Sequence, residues 1–138
     1  MNKNILIGIL ILAVAAIFYG YKTYNKEHKN LNEVKPDYTI TPVAFLAEFD
    51  ADENAAQTKY LNKIIQLQGE LLEIQKVGEQ SIWIISTGNP LSNIQCEMDG
   101  RYIKDVQDKV KKGSTVTVQG ICSGKLMDIV INQAVYKL

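Results

Sequence analysis

A mainly β fold with accessory helices is the class this sequence predicts, on three observations. Apolar residues recur with a period of two over most of the chain from Lys63 onward. Helical spacing is confined to a preface before the first strand and to one segment between later strands. Ahead of both stand 17 residues without a charge, Ile5–Tyr21 (ILIGILILAVAAIFYGY).

The uncharged run, taken as a helix rising 1.5 Å per residue, spans roughly 25 Å, near the lower limit for a hydrocarbon core. Tyr19, Tyr21 and Tyr24 suit the interface, and Lys22 and Lys26 can snorkel. A cleaved signal peptide is the competing reading, with Lys3 as its n-region and Ala13-Val14-Ala15 as its cleavage site. The apolar run continues past that site through Ile17, Phe18 and Tyr19, which favours an uncleaved signal anchor over residues 1–24, in contact with the bilayer through residues 5–21. The short N-terminal tail favours a domain outside the cytoplasm, while Lys22, Lys26 and Lys29 after the span weigh the other way.

Residues 25–40 are polar, carry Lys26, Lys29 and Lys35, and read as a stalk. The domain then covers 41–138, with a helical preface at 41–62. Thr41-Pro42 is a helix start, a hydroxyl cap followed by proline at the first helical position. Phe45, Leu46 and Phe49 share one face, and Asp50 or Asp52 caps a second helical stretch with Ala55, Ala56, Tyr60 and Leu61 on its apolar side.

From Lys63 the alternation of Ile65, Leu67, Gly69 and Leu71 with Gln66, Gln68 and Glu70 marks a half-buried strand. Gly69 and the Leu71-Leu72 break predict a bend or bulge there. Val77–Gln80 is a turn, Ser81–Thr87 (SIWIIST) a second strand and Asn93–Met98 a third. Arg101–Lys112 has Ile103, Val106 and Val110 at helical spacing and ends on Gly113 as its cap. Ser114–Cys122 and Asp128–Tyr136 are the last two strands, joined by a turn at Ser123–Lys125. Five strands with a helix between the third and fourth, and a glycine bending the long first strand, describe an OB-fold barrel; an open α+β sheet is the runner-up.

Lys59–Lys63, Ile65–Gly69, the run Gly113–Gly124 (GSTVTVQGICSG) and Asp128–Ile131 resemble the bacterial tRNA-anticodon-binding-like OB-fold proteins, small envelope or membrane-anchored proteins. The stalk, Asn25–Lys29 and Tyr38–Ile40, is similar to the same group. The resemblance implies the fold directly and nucleic-acid binding only through fold similarity. It also implies a further cysteine on the last strand, where this chain has Ala134, which leaves Cys122 without that partner.

The chain is neutral overall, with 15 basic and 15 acidic residues, but from Thr41 on it carries ten Lys and Arg against twelve Asp and Glu, about −2. That balance disfavours nonspecific nucleic-acid binding. Lys104, Lys109, Lys111, Lys112 and Arg101 are interleaved with Asp99, Asp105 and Asp108, the pattern of a solvated, ion-paired face. Cys96 and Cys122 either close a disulfide loop of about 26 residues, worth roughly 3 kcal/mol, or lie as buried thiols. Trp83 and Ile85 either face outward on the second strand, where the indole could stack on a base or sugar, or turn inward as core. No metal or cofactor is expected. The only histidine, His28, sits in the stalk, and the acidic run Glu48, Asp50, Asp52, Glu53 lacks the glycine of a calcium loop. No nucleophile elbow or phosphate loop appears, so the expectation is a non-enzymatic binding module of the cell envelope, its ligand an envelope protein or a glycan-like molecule. Single-strand nucleic-acid binding and a structural role at the membrane are the alternatives.

Overall fold

A computed structural model describes residues 2–24, 30–104, 106 and 108–137. His28, Lys26 and Lys29 of the stalk, and Asp105, lie outside them. Helix α1 (Lys3–Tyr24) contains one stretch, Lys3–Thr23, long and apolar enough to cross a membrane, with mean hydropathy 2.2 and none of it buried.

The rest builds a closed barrel. Its strands are β2 (Ile64–Val77), β3 (Gln80–Ile85), β4 (Ile94–Met98), β5 (Thr115–Lys125) and β6 (Ile129–Lys137), with a short β1 (Tyr38–Thr39) laid parallel on β2. The order β2-β3-β4-β6-β5 returns to β2 through a β2–β5 ladder, and the β4–β6 pair is parallel. This is the OB-fold connectivity, and no barrel strand is left with an open edge.

The long strand β2 makes closure feasible. Its first half, Ile64–Glu70, pairs with β5, and its second half, Leu71–Val77, pairs with β3. The register slips between Leu71 and Glu73, so the bulge lies at Leu72 rather than at Gly69. Gly69 answers a different demand. A Cβ there would stand 2.7 Å from Pro42 Cγ and 2.8 Å from Ile85 Cγ2, so glycine lets the start of α2 lie against the bend.

Helix α2 (Pro42–Ala51) begins as its sequence requires, with Thr41 Oγ1 accepting from the Ala44 amide at 3.2 Å and proline in the first turn. Asp52 caps α3 (Glu53–Tyr60) through the Ala55 amide at 3.0 Å. Phe45, Leu46, Phe49, Ala56 and Tyr60 are buried in the same core as the strands, whereas Ala55 and Leu61 are exposed. The rings of Phe45 and Tyr60 meet edge to face at 4.9 Å, and those of Tyr38 and Tyr60 at 5.0 Å.

Three expectations change. The segment after Asp99 makes one helical turn, α4 (Gly100–Ile103), and continues in turns whose amides reach back three residues, Val106 to Ile103 and Lys109 to Val106. Such bonding winds the chain more tightly than an α-helix, so apolar spacing alone misjudged its form. Strand β5 runs through Ser123–Lys125, and the hairpin turn falls at Leu126–Asp128. The second half of the supposed stalk is packed. Leu31 is buried, and the buried Gln119 side chain donates from Nε2 to the carbonyls of Leu31 at 2.7 Å and Val34 at 2.6 Å.

Trp83 and Ile85 take the inward phase and are fully buried, with Trp83 tilted against Tyr136 at 5.9 Å between ring centroids. Cys96 and Cys122 are free, buried thiols that both pair with Ile131, one on each side of β6. Two interstrand spacings, about 9–10 Å, separate them, beyond the ~7 Å that a disulfide bridges.

Two measurements check this core. Trp83 fluorescence should peak in the apolar range and resist an aqueous quencher until the protein unfolds. Burial pushes the Cys96 thiol up to about 12, from 9.0, and raises that of Cys122. Because the folded state holds its thiol protons to higher pH than the unfolded state, their stabilising effect is intact below pH 9 and is lost as pH rises toward 12. Urea midpoints should fall across that window, more steeply than in a Cys96→Ala variant, while native protein at pH 8 should label with thiol reagent only after unfolding.

Candidate binding face and cleft

The outward positions of β3 and β4 form the face that OB-folds present to ligands. Ile82 stands opposite Gln75 and Glu97, and Ile84 opposite Glu73 and Gln95; Gln95 in turn pairs with Val130. Directly paired residues share a face; Ile84 on it is buried, and the accessible part consists of amides and carboxylates around the half-buried Ile82 and Val130. None of these positions is basic or aromatic.

At the end marked by the Val77–Gln80 turn the face opens into a cleft of about 700 Å³ between Glu79, Gln80, Met98, Arg101 and Lys104. A second hollow of about 390 Å³ continues from it past Glu97 to Asn132 and Gln133. Gln133 has φ 51°, in the left-handed region that a non-glycine residue rarely occupies. Its conformation belongs to a bulge. Between Ile131 opposite Cys96 and Ala134 opposite Met98, β6 spends two residues against one. The bulge sets Asn132 and Gln133 at the hollow. Gly120 accommodates it, since a Cβ there would come within 2.4 Å of Ile131 Cγ2 and 2.8 Å of the Asn132 carbonyl.

Arg101 is held in the cleft by Asp99. Its Nε donates to Oδ1 at 3.0 Å and its Nη2 to Oδ2 at 2.6 Å, and Asp99 Oδ1 also accepts the Arg101 amide as helix cap. This fork fixes the guanidinium and raises its already high pKa. The same arginine borders a third hollow, about 380 Å³, with Tyr102, Lys109 and Tyr136. Lys104, Lys109, Lys111 and Lys112 are exposed.

Of the residues singled out in the sequence, Trp83, Ile85, Cys96 and Cys122 are all brought together inside the barrel, and none lines the cleft. Asn132 and Gln133 were not anticipated. Their signal is a change of phase on the last strand, where the inward set passes from the odd positions Ile129 and Ile131 to the even position Ala134. Among the described residues, no group of three or more His, Cys, Asp and Glu side chains converges as a metal site would require.

The fold has counterparts. Over 73% of this chain and 92% of its own, a Klebsiella pneumoniae protein described as a "putative nucleic acid-binding lipoprotein" superposes with TM-score 0.62 at 18% identity. Asparaginyl-tRNA synthetase from Pyrococcus horikoshii matches 56% of this chain with TM-score 0.43 at 16% identity, and only 20% of the synthetase is covered. No curated protein matches the sequence. The tRNA_anti-like family model matches residues 1–135, nearly the full length, and the chain belongs to the tRNA_anti-like family.

Proposed function

We propose that this protein is a membrane-anchored OB-fold binding module of the cell envelope, without chemistry of its own, whose outer barrel face and cleft take a polar ligand of glycan or peptide type. The observation that carries the reading is the composition of that face. Gln75, Gln80 and Gln133 supply amide donors and acceptors in a surface that also holds Glu73 and Glu97. Amides meet hydroxyls and peptide groups in both hydrogen-bonding senses, whereas Glu73 and Glu97 repel phosphates. Stacking on Trp83 would require the barrel to open, because the ring is fully buried. The membrane side of the proposal rests on α1.

A second reading, single-stranded nucleic acid, is favoured by one observation, the hollow where Arg101 and Lys109 stand beside Tyr102 and Tyr136. Base stacking beside cations is how such strands are held.

Two experiments test these readings. Isotope-labelled full-length protein in neutral detergent micelles is titrated at low salt with a neutral oligosaccharide, a mixed-sequence peptide and a single-stranded oligonucleotide. Shifts at Gln75, Gln80 and Gln133 with the sugar or the peptide are expected. Oligonucleotide shifts centred on Tyr102 and Lys109, fading with salt and lost in Lys109→Glu, would replace this reading with the second. For topology, a reporter is attached after Leu138 in whole cells. The proposal expects protease to reach it in intact spheroplasts and carbonate washing to leave the chain in the membrane; protection from protease would place the domain in the cytoplasm.

A further inference from the structure

The most exposed large apolar side chains outside α1, among the described residues, are Leu126, Leu91 and Met127, at 90%, 84% and 81%. They lie on two loops, the β3–β4 connection and the β5–β6 turn, at the end of the barrel opposite the cleft.

These loops are locked together. Ser92 Oγ donates to the Met127 carbonyl at 2.7 Å, and the Asn93 amide and Gln95 Nε2 donate to the two carboxylate oxygens of Asp128, both at 2.8 Å. The Ile129 amide returns to the Asn93 carbonyl at 3.1 Å. Within the first loop, Thr87 Oγ1 donates to the Ser92 carbonyl at 2.5 Å and the Leu91 amide to Asn89 Oδ1 at 2.9 Å. Three bare aliphatic side chains are thus displayed on a braced scaffold. Display of this kind costs solubility and spares a binding partner the entropy of ordering the loops.

Two features narrow the occupant. The chain enters the barrel at the other end of β6, where Lys137 Nζ donates to the Asn32 carbonyl at 3.0 Å. The knob lies a strand length away from that entry, about 27 Å along β6, clear of the point where the chain reaches the barrel. Its flank is acidic. The α2–α3 junction packs beside the end of β5, with Asp50 reaching Lys125 at 3.6 Å and Asp52 and Glu53 exposed next to it. Such a flank repels anionic lipid and nucleic acid and suits a basic rim.

We infer that Leu91, Leu126 and Met127 form a docking knob for a second protein, one that presents an apolar pocket bordered by Lys or Arg. The knob is separate from the cleft and stands whether or not the cleft binds glycan or peptide.

The test is photocrosslinking in intact cells from the full-length protein, with Met127 replaced by a photoreactive amino acid and, as control, Glu79 in the opposite turn replaced likewise. A single protein adduct from position 127, absent from 79 and lost in Leu91→Asp and Leu126→Asp, is expected. Calorimetry with that purified partner should then show at least tenfold weaker binding for Leu126→Asp, and weaker binding for Glu53→Gln. Unchanged melting of the exposed-site variants and unchanged cleft signals would separate this effect from misfolding and from failure of the cleft reading. An adduct with lipid, an adduct with a second copy of this chain, no adduct beyond the control, or a partner whose affinity the substitutions leave unchanged would each overturn the inference.

Discussion

The barrel depends on one strand serving two neighbours. Strand β2 hands its hydrogen bonds from β5 to β3 between Glu70 and Leu71, and without that exchange the five strands would form an open sheet with exposed edges. The handover dictates what surrounds it. The chain bends and bulges at Leu72, Gly69 stays bare so that Pro42 can approach, and α2 and α3 are thereby seated on the core through Phe45, Phe49 and Tyr60. A second irregularity, the β6 bulge at Asn132 and Gln133, lies across the ring and sets both residues at the hollow beside the cleft.

Much of this architecture was legible because it is written in local chemistry. The period-two runs, the Thr41-Pro42 start, the Asp52 cap and the Leu71-Leu72 break each act within a few residues, and each reappears in the structure. What escaped the sequence is what depends on remote neighbours. Gln119 sits in a strand like any polar residue, and its reach to Leu31 and Val34 crosses more than 80 positions of chain. The segment after Asp99 has helical spacing yet closes in three-residue turns. Trp83 lay in a run of four apolar residues, Ile82–Ile85, where alternation assigns no phase; only the closed ring decides that its indole is inside. The candidate site was the least legible part for the same reason, since the cleft joins Glu79, Arg101 and Gln133, residues from three separate stretches of the chain.

The distribution of side chains sets this barrel apart from one built around base stacking. Its largest ring, Trp83, is spent on the core. The outward positions of β3 and β4 carry amides and carboxylates beside isoleucine, and five of the ten cations from Thr41 on fall within 101–112, with Arg101 neutralised by Asp99. An OB-fold backbone can be kept while the chemistry of its outer face changes, because core packing constrains only every second side chain along a strand.

The two thiols bear on how the protein is made. Held on opposite sides of β6, Cys96 and Cys122 have no route to one another while the barrel is closed. The closed fold therefore requires no oxidant, because it contains no disulfide between them. A bond between the two formed in the unfolded chain would be incompatible with the closed barrel, so thiols kept reduced until closure favour this fold.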